Sequence, residues 1–537
     1  MKSALGFIAL FLVFAAALTR AAQTNTTAAA ARGTLRFAVA AEPLTLDPLL
    51  ATSTSDDDIF ALFCDLLVVT DGRGKTSPLL AARVPSIANG DISPDGRSIT
   101  YHLRRGVRWH DGFPFTSKDV RFSWQAVMNP RNNVSSRAGY DRVERVDTPD
   151  GYTAIFRLKQ AYAPAVLMLF GGGQTARLIP EHVLGKASSL NRLDFNQHPI
   201  GTGPFKVVSW KRGDSIELVA NDAYFLGKPK LARIVIRFVP TMTTSGILLR
   251  THEADLAQLD SDAYRQLRSD PAVRVVLAPY NAVLSLALNV TRPRLHDVRV
   301  RRALAYAIDR KALVEKNTFG TGEVADGDIG PISWAHTDDV AHYDYAPAKA
   351  KALLDEAGWK PGSDGIRTKA GRRLTLELVE VAGTTTGHNE DVQIQQMFEA
   401  IGVELTIRAF SEGLLFAPPL EGGILATGKF DIASGGNVSA PDPDNSFVYT
   451  CAAAAPAGQN YSRYCNPAVD AWERRAVAGY DLEVRKQAYA AIEAILADDV
   501  PSIFLYWPKA RYGMNPALHG FAPNGVTTTW NAYSWSL

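Results

Sequence analysis

A glycine-rich stretch in the last quarter of the chain has residue types that could hold a phosphate group. Residues 423–429 read Gly-Ile-Leu-Ala-Thr-Gly-Lys, close to the loop with which nucleotide-binding proteins cradle phosphates. That loop needs Ser or Thr after the lysine, to hold Mg²⁺, and a following helix whose N-terminus faces the phosphates. Here Phe430 follows the lysine, and residues 430–433 have the composition of a strand. The sequence therefore argues against nucleotide binding.

His110 and Asp111 form the best pair in the chain for general-base chemistry, because a histidine beside a carboxylate can take up a proton near neutral pH. The pair stands in a His-Asp-Gly sequence, which is typical of a structural turn, and a turn is the interpretation we adopt. The motifs HExxH, CxxC and GxSxG are missing, and the ten histidines are scattered. The sequence thus predicts no catalytic residue and no cofactor, and it contains no cluster of soft ligands that demands a metal site, although a metal site remains an alternative. A secreted α/β hydrolase is the alternative, and it would need a nucleophile and a base that we do not find.

Three cysteines indicate one disulfide bond and one free thiol. Cys451 and Cys465 bracket a short stretch rich in Ala, Pro and Gly, and their spacing suits a disulfide in an oxidising compartment. Closing a loop of about 15 residues stabilises a protein by about 3 kcal/mol in the chain-entropy model. Cys64 lies in an apolar run and is predicted to be a buried thiol.

The amino-terminal segment has the features of an export signal. Lys2 precedes an apolar run at residues 5–18, and small residues at 19–22 and 28–31 offer cleavage sites. The run is shorter than the about 20 residues of a membrane-spanning helix, although an uncleaved anchor is the alternative. No cysteine stands directly after the run, at a cleavage site, so we expect no lipid anchor. We predict a signal peptide at 1–22, a disordered linker at 23–32, and a periplasmic protein.

The charge balance excludes a nucleic-acid or membrane-surface partner. The formal net charge is +2, and removal of the signal peptide with Lys2 and Arg20 would leave equal numbers of basic and acidic residues. One basic run stands out, formed by Arg299, Arg301, Arg302 and Arg310. We expect these side chains on a solvated helix face, with a docking patch for a membrane partner as the alternative.

Apolar periodicity predicts alternating strands and helices. Leu35, Phe37 and Val39 alternate with polar residues as in a half-buried strand, and residues 99–103 repeat this pattern. Thr116 and Asp119 have the spacing of a capping box at a helix start. Helical spacing recurs at 300–308, 347–357, 392–400 and 482–499, and strand patterns at 217–219, 234–239, 374–378 and 503–507. This alternation predicts an α/β protein, and 537 residues predict two or three lobes.

Several segments, in order, resemble the peptide/nickel family of extracellular solute-binding proteins, over residues 35–506. The most specific is residues 93–120, which read Ser-Pro-Asp-Gly-Arg at 93–97 and Trp-His-Asp-Gly-Phe-Pro-Phe-Thr-Ser-Lys-Asp-Val at 109–120. The other matching segments are residues 42–48, 201–205, 221–229, 300–310, 348–359 and 460–465. The last of these resembles the stretch that carries the second cysteine of the disulfide in the peptide receptors.

The resemblance implies a two-lobed periplasmic binding protein fold of type II with an extra subdomain and a ligand cleft between the lobes. The first lobe would comprise residues 33–75 and 206–289, with the extra subdomain at 76–205. The second lobe would comprise residues 290–500, and residues 501–537 would return to the first. Two strands, at 283–289 and 502–507, would cross between the lobes.

The resemblance also implies candidate ligand-binding residues. The loop at 435–444 corresponds to the one that holds a peptide ammonium in the relatives, and we take Gly436, Asn437, Ser439 and Asp442 from it. The carboxylate of the dipeptide receptors falls at Ser439, and the arginine that pins a peptide carboxylate falls near 381–383, so both charged partners are missing. Asp442 is the closest substitute, or else it caps the turn at Pro443. The remaining candidates are Ser53, Thr54 and Tyr140.

The function that these expectations support is the substrate-binding component of an ABC importer. Such a protein would capture a peptide or another small solute, as a monomer, and deliver it to a permease in the inner membrane, without chemistry. A receptor or chaperone with a non-peptide ligand on the same fold is a further alternative, because fold does not fix function.

Overall fold

The computed structural model of the protein describes residues 33–51, 56–172, 176–383 and 385–537. The predicted signal peptide and linker and the candidate residues Ser53 and Thr54 lie outside the described residues. The strands in chain order are β1 (Thr34–Val39), β2 (Val68–Thr70), β3 (Thr76–Pro78), β4 (Ser98–His102), β5 (Val143–Asp150), β6 (Thr153–Leu158), β7 (Phe205–Lys211), β8 (Ser215–Ala220), β9 (Arg233–Phe238), β10 (Leu256–Gln258), β11 (Arg274–Pro279), β12 (Ala282–Leu288), β13 (Glu323–Val324), β14 (Lys360–Pro361), β15 (Arg367–Lys369), β16 (Arg372–Arg373), β17 (Thr375–Val381), β18 (Glu404–Phe410), β19 (Ile432–Val438), β20 (Ser502–Trp507) and β21 (Lys509–Met514).

Helices alternate with these strands along the chain. They are α1 (Asp57–Phe63), α2 (Ser117–Met128), α3 (Ala165–Met168), α4 (Glu181–Leu184), α5 (Met242–Arg250), α6 (Ser261–Leu267), α7 (Val298–Ala307), α8 (Arg310–Thr318), α9 (Pro347–Glu356), α10 (Thr385–Glu399), α11 (Glu412–Leu415), α12 (Ile424–Thr427), α13 (Ser446–Tyr449), α14 (Pro467–Ala478) and α15 (Leu482–Asp499). Short 3₁₀ helices occur at Tyr140–Arg142, Asp194–Asn196, Pro419–Glu421, Cys451–Ala453 and Ala532–Ser534.

Two large sheets form the centres of two lobes. The sheet of the first lobe has the strand order β11-β21-β10-β1-β9-β8-β7, and that of the second has the order β13-β20-β12-β19-β17-β18. In β1 the alternating residues Leu35 and Phe37 are buried, as the period of two predicts. Burial of each such side chain stabilises the fold by about 1.5–3 kcal/mol. The predicted α/β class with two lobes is confirmed.

A smaller unit is attached to the first lobe, and we call it the subdomain. Its three-stranded sheet has the order β4-β6-β5 and packs against α2. Thr116 and Asp119 start α2 as predicted, because the backbone N–H of Thr116 donates to Oδ2 of Asp119 at 2.8 Å. Its own apolar core contains large buried rings, including Tyr101, Phe156 and Phe170.

The chain crosses between the two lobes through very short connections. β11 of the first sheet leads to β12 of the second through Tyr280 and Asn281, and β20 of the second leads to β21 of the first through Pro508. Both β12 and β20 pair within the second sheet, so the crossings lie a few residues from the boundaries expected at 289 and 501. Such short connections confine relative movement of the lobes to rotation about two neighbouring points.

The prediction that four arginines form a solvated helix face is wrong for two of them. Arg301 is buried and donates to the carbonyl oxygens of Asp499 and Val500, at 2.9 and 3.1 Å, where α15 ends. Arg310 is also buried, and its Nη2 lies 2.9 Å from Oδ1 of Asp326. A guanidinium stabilises the partial negative charge at a helix C-terminus, which explains why Arg301 points inward.

Candidate functional site

A cavity of about 440 Å³ lies where the two lobes and the subdomain meet. The subdomain contributes one wall, the crossing residue Asn281 contributes the floor, and the second lobe contributes the opposite wall. Its lining residues are Ser136, Ala138, Met168, Asn281, Asp328, Ile329, Ser333, Asn437, Val438, Ser439, Ala440, Pro443, Asp444, Asn445, Phe447, Val448, Ala457, Gly458 and Gln459. A cavity enclosed by separate parts of the chain is a typical place for a small ligand.

The loop after β19 is held against the crossing by Asn281, which the sequence did not single out. Its Nδ2 donates to the carbonyl oxygens of Ser439 and Ala440, at 2.7 and 2.8 Å. The backbone N–H of Ser439 donates in turn to the carbonyl oxygen of Asn281 at 2.7 Å. These three bonds couple the cavity wall to the residue about which the lobes rotate.

Three of the candidate residues lie on the cavity or on the strand that borders it. Asn437 and Ser439 line the cavity directly, and Gly436 precedes them on the exposed part of β19. A Cβ on Gly436 would lie 2.4 Å from the carbonyl oxygen of Val283, so this position requires glycine. The absence of a side chain at Gly436 therefore permits the close approach of β19 to β12.

Tyr140 does not reach the cavity, so its assignment as a ligand contact is corrected. Its ring is fully buried in the subdomain core beside Phe170, at 5.0 Å between ring centroids. Its Oη accepts a hydrogen bond from the backbone N–H of Phe170 at 3.2 Å. Tyrosine has a large apolar ring and one polar atom, and here both are used for packing.

Asp442 is likewise placed away from the ligand cavity, and its assignment as a ligand contact is corrected. Its two oxygens accept bonds from Nη1 and Nη2 of Arg485 on α15, at 2.8 and 2.6 Å, and both side chains are buried. Burial raises the pKa of Asp442, and the attraction of Arg485 opposes this effect. Each oxygen is bound by the guanidinium, and the carboxylate is buried outside the cavity lining, so it does not face a ligand ammonium.

A hydrogen bond joins the subdomain to the second lobe at the edge of the cavity. Oη of Tyr162 donates to Oδ2 of Asp444 at 2.8 Å. Oδ1 of the same carboxylate accepts from Oγ of Ser446 at 2.6 Å, which orients it at the start of α13. Nearby, the backbone N–H of Ala163 donates to the carbonyl oxygen of Val477 at 2.7 Å. The structure thus has the two lobes in contact beside the cavity.

The cavity wall is acidic, and among the described residues that line it there is no Lys, Arg or His. Asp328 accepts from Nδ2 of Asn445 at 3.0 and 3.2 Å, and behind it lie the buried Glu473 and Glu493. Burial, followed by repulsion from Asp444 and Asp328, raises the pKa of Glu473 well above its usual value. Burial and Asp328 have the same effect on the pKa of Glu493. The wall disfavours an anionic group.

The disulfide loop also contributes to this wall. Cys451 and Cys465 are joined in the structure, with 2.14 Å between the sulfur atoms, and Cys64 is a buried free thiol. Gln459, inside the loop, lines the cavity.

The other groups considered for chemistry have structural surroundings. Nδ1 of His110 accepts from the backbone N–H of Gly201 at 3.1 Å, its Nε2 lies 3.0 Å from the carbonyl oxygen of Gly203, and burial lowers its pKa to about 4. Asp111 pairs with His182 instead, at 2.8 Å. Among the described residues, no group of three or more His, Cys, Asp or Glu side chains is arranged to hold a metal ion. None of the helices in the described ranges is both long and apolar enough to cross a bilayer.

Comparison with known proteins gives a single family. The family model for bacterial extracellular solute-binding proteins, family 5, matches residues 46–459. Protein XP55 of Streptomyces lividans is 31% identical over 472 residues, covering 87% of this chain and 82% of that protein. The crystal structure of NikZ from Campylobacter jejuni in complex with Ni(L-His) is 28% identical with a TM-score of 0.80, covering 94% of this chain and 100% of that one. The structure of the oligopeptide-binding protein AppA from Bacillus subtilis in complex with a nonapeptide is 26% identical with a TM-score of 0.78, covering 94% and 98%. The predicted family is confirmed, and this chain belongs to family 5 of the bacterial extracellular solute-binding proteins.

Proposed function

We propose that this protein is the substrate-binding component of an ABC importer, which captures a solute between its lobes and delivers it to a permease in the inner membrane. The observation that supports this most directly is the cavity enclosed by the subdomain, the crossing and the second lobe. In this proposal the chain is exported by its signal peptide, has no lipid anchor, and acts as a periplasmic monomer with the bond between Cys451 and Cys465 formed there.

The geometry supports capture by closure of the lobes. A ligand in the cavity touches walls from both sides at once, and only the closed state offers both sets of contacts. The bond between Tyr162 and Asp444 adds to the stability of that state. Because the lobes are connected through Tyr280, Asn281 and Pro508 alone at the crossings, closure needs no rearrangement of either sheet.

A peptide is the solute that the cavity supports best. β17 pairs with β19 only at Ile432 and Ala433, so beyond Ala433 one edge of β19 has no neighbouring strand among the described residues. An extended peptide can bind such an edge through main-chain hydrogen bonds. AppA of Bacillus subtilis, a structural relative, holds a nonapeptide, whereas NikZ holds Ni(L-His). Without a cationic lining residue, this cavity would hold a peptide by its amides rather than by its carboxylate.

Mass spectrometry of solute released from gently purified periplasmic protein tests the proposal. We expect about one equivalent of a peptide or small solute, and calorimetry with that solute should give saturable binding. Small-angle scattering should show a smaller radius of gyration in the bound form. Chemical conversion of the solute by the protein, or bound and free forms of equal size, would contradict the proposed role.

A matched pair of variants ties binding to this cavity. The side-chain amide of Asn437 has no hydrogen-bond partner among the described residues and lines the cavity, so Asn437→Ala should weaken binding about tenfold, the effect of one hydrogen bond. Asn133→Ala removes an exposed amide on the subdomain and should leave affinity unchanged.

A further inference from the structure

A second cavity, of about 270 Å³, lies in the second lobe beside the first. One side is the part of β19 that has no neighbouring strand, and the other side is the segment that contains α11 and α12. The lining residues are Ser285, Ala287, Leu415, Phe416, Leu425, Ala433, Ser434, Gly435, Gly436, Asn437, Val438, Phe447, Val448, Gln459, Tyr461, Ser462 and Ser502. We call this cavity the side chamber.

The side chamber is uncharged and largely apolar. Its lining set contains no Asp, Glu, Lys, Arg or His. Leu415 and Leu425 are buried in the same small apolar cluster as Ala433, and Tyr461 packs against that cluster. Two of its hydroxyl groups are already used, since Oγ of Ser434 donates to Asp391 at 2.8 Å and Oγ of Ser462 donates to Asn460 at 2.9 Å. An apolar group therefore finds few competing polar atoms here.

The side chamber adjoins the cavity between the lobes. Five residues line both, namely Asn437, Val438, Phe447, Val448 and Gln459. The side-chain amides of Asn437 and Gln459 have no hydrogen-bond partners among the described residues. Each amide offers a donor and an acceptor, which matches the needs of one peptide group at the junction. A ligand bound at β19 could thus place one group in the side chamber while its peptide amides form hydrogen bonds with the side chains of Asn437 and Gln459.

The rim of the side chamber carries exposed apolar side chains. Phe416 is 53% exposed, Phe447 is 45% exposed, and Leu420 nearby is fully exposed. Contiguous apolar exposure on a soluble protein marks a place where a partner or ligand covers it. Because the side chamber shares five lining residues with the cavity between the lobes, the occupant that the geometry favours is part of the solute itself.

We propose that the side chamber is a specificity pocket that takes an uncharged apolar group of the captured solute, an aromatic or branched aliphatic side chain when the solute is a peptide. This inference rests on the proposed solute-binding function and adds the class of group that the site selects. The preference for such groups would come from the removal of their apolar surface from water. The resulting gain in binding free energy grows with the area of the inserted group.

Fluorobenzene tests the side chamber without any knowledge of the solute. Fluorine NMR of wild-type protein with fluorobenzene should show saturable binding. Ala433→Leu fills the side chamber and should weaken that binding about tenfold or more, because the probe loses its space. Ala409→Leu adds the same volume on the exposed edge strand β18 and should leave it unchanged. Since Ala433 is buried, Phe416→Ala, at an exposed rim position, provides a second variant that should also weaken binding.

A peptide series then separates this inference from the proposed function. Tetra-alanine is compared by calorimetry with peptides in which one position is Phe, Leu, Lys or Glu. Phe or Leu at one position should improve affinity over tetra-alanine about tenfold or more in wild type and in Ala409→Leu, and Ala433→Leu should abolish that gain. Binding of fluorobenzene without binding of any peptide would support the side chamber as a pocket for apolar groups and would show that the solute is not a peptide. Absent or unaltered fluorobenzene binding, or equal affinity for all peptides, would overturn the side chamber as a specificity pocket.

Discussion

Oη of Tyr162 in the subdomain and Oδ2 of Asp444 in the second lobe are 2.8 Å apart, and this hydrogen bond joins the two units at the edge of the cavity. Burial, with the nearby charge of Asp444, raises the pKa of Tyr162 well above its usual value, so the phenol remains a donor throughout the physiological range. The bond exists only when the lobes are together, and it therefore biases the equilibrium toward closure.

Tyr162→Phe should weaken solute binding. A hydrogen bond to a charged acceptor contributes about 1.5–3 kcal/mol, which corresponds to about tenfold to hundredfold in affinity. The ring and its contact with Arg142 remain in the variant, so melting of the solute-free protein should change little. Calorimetry with the copurified solute measures the loss. Tyr345→Phe, at an exposed position in the second lobe, is the control. Equal affinities of the two variants for the solute would show that the Tyr162 hydroxyl does not stabilise the closed state.

Asp442→Ala should destabilise the protein rather than weaken its ligand. The substitution leaves Arg485 buried without its partner, which typically costs about 3–5 kcal/mol in the free energy of unfolding. Urea unfolding measures this loss. In Asp442→Ala/Arg485→Met no charge is left unpaired, and much of the stability should return. A large loss of affinity in the folded single variant, with unchanged stability, would restore Asp442 as a ligand group.

Amidation of a peptide's carboxyl terminus should not weaken its binding. In the part of the chain that the structure describes, neither the cavity between the lobes nor the side chamber has a cationic lining residue, so no charge pair is lost when the carboxylate becomes neutral. Paired calorimetry of one peptide as acid and as amide checks this. A loss of tenfold or more on amidation would reveal a cation that the described residues do not bring to the cavity.

Glu473→Gln should stabilise the protein at neutral pH and flatten its stability profile. Glu473 is 1% exposed, neither of its carboxylate oxygens has a hydrogen-bond partner among the described residues, and burial raises its pKa well above 4.5. The folded state therefore retains a proton that the unfolded state has released, and stability falls as pH rises above about 4.5, by up to about 1.4 kcal/mol per pH unit and proton.

Thermal melting of wild type and Glu473→Gln between pH 4 and 8 measures this effect. The two proteins should converge at low pH, where both carry an uncharged group, and separate as pH rises. Glu315→Gln neutralises an exposed carboxylate on α8 and should follow wild type at every pH. If the melting temperature rose with pH to the same extent in wild type, Glu473→Gln and Glu315→Gln, a buried, protonated Glu473 would be excluded.

Local patterns predicted much of the fold because they depend on neighbours in sequence. The helix at Leu482–Asp499 has the predicted bounds, and the strand at Ser502–Trp507 begins one residue before the predicted 503–507, since a period of 3.6 and an unbroken apolar run are local signals. The capping box at Thr116 and Asp119 was predicted for the same reason. The strand expected at 430–433 instead begins at Ile432, after the left-handed Gly428 ends a short helix.

The site was harder to predict because its contacts join distant residues. The family resemblance places Asp442 in the ligand-binding loop, and its partner Arg485 is 43 positions away on another element, so the sequence does not reveal their pairing. Tyr140 was misplaced because nothing in its neighbours says whether a tyrosine faces a core or a cleft. Asn281 was missed although it holds the loop at Ser439, because an asparagine before a strand has no distinctive pattern. The roles of Ser53 and Thr54 stay predictions.

The crossings near Asn281 and Pro508 also constrain how the chain can be made. β21, close to the carboxyl terminus, lies between β10 and β11 in the first sheet, and β20 lies between β12 and β13 in the second. During synthesis, neither sheet can be completed until residues 502–514 have emerged. A nascent chain released or stalled before Ser502 would have two open sheets with exposed edges, which makes it a substrate for proteases and chaperones. In the proposed export, where the chain would be threaded through a membrane unfolded, late completion of both sheets would keep the chain flexible until its last segment has been synthesised.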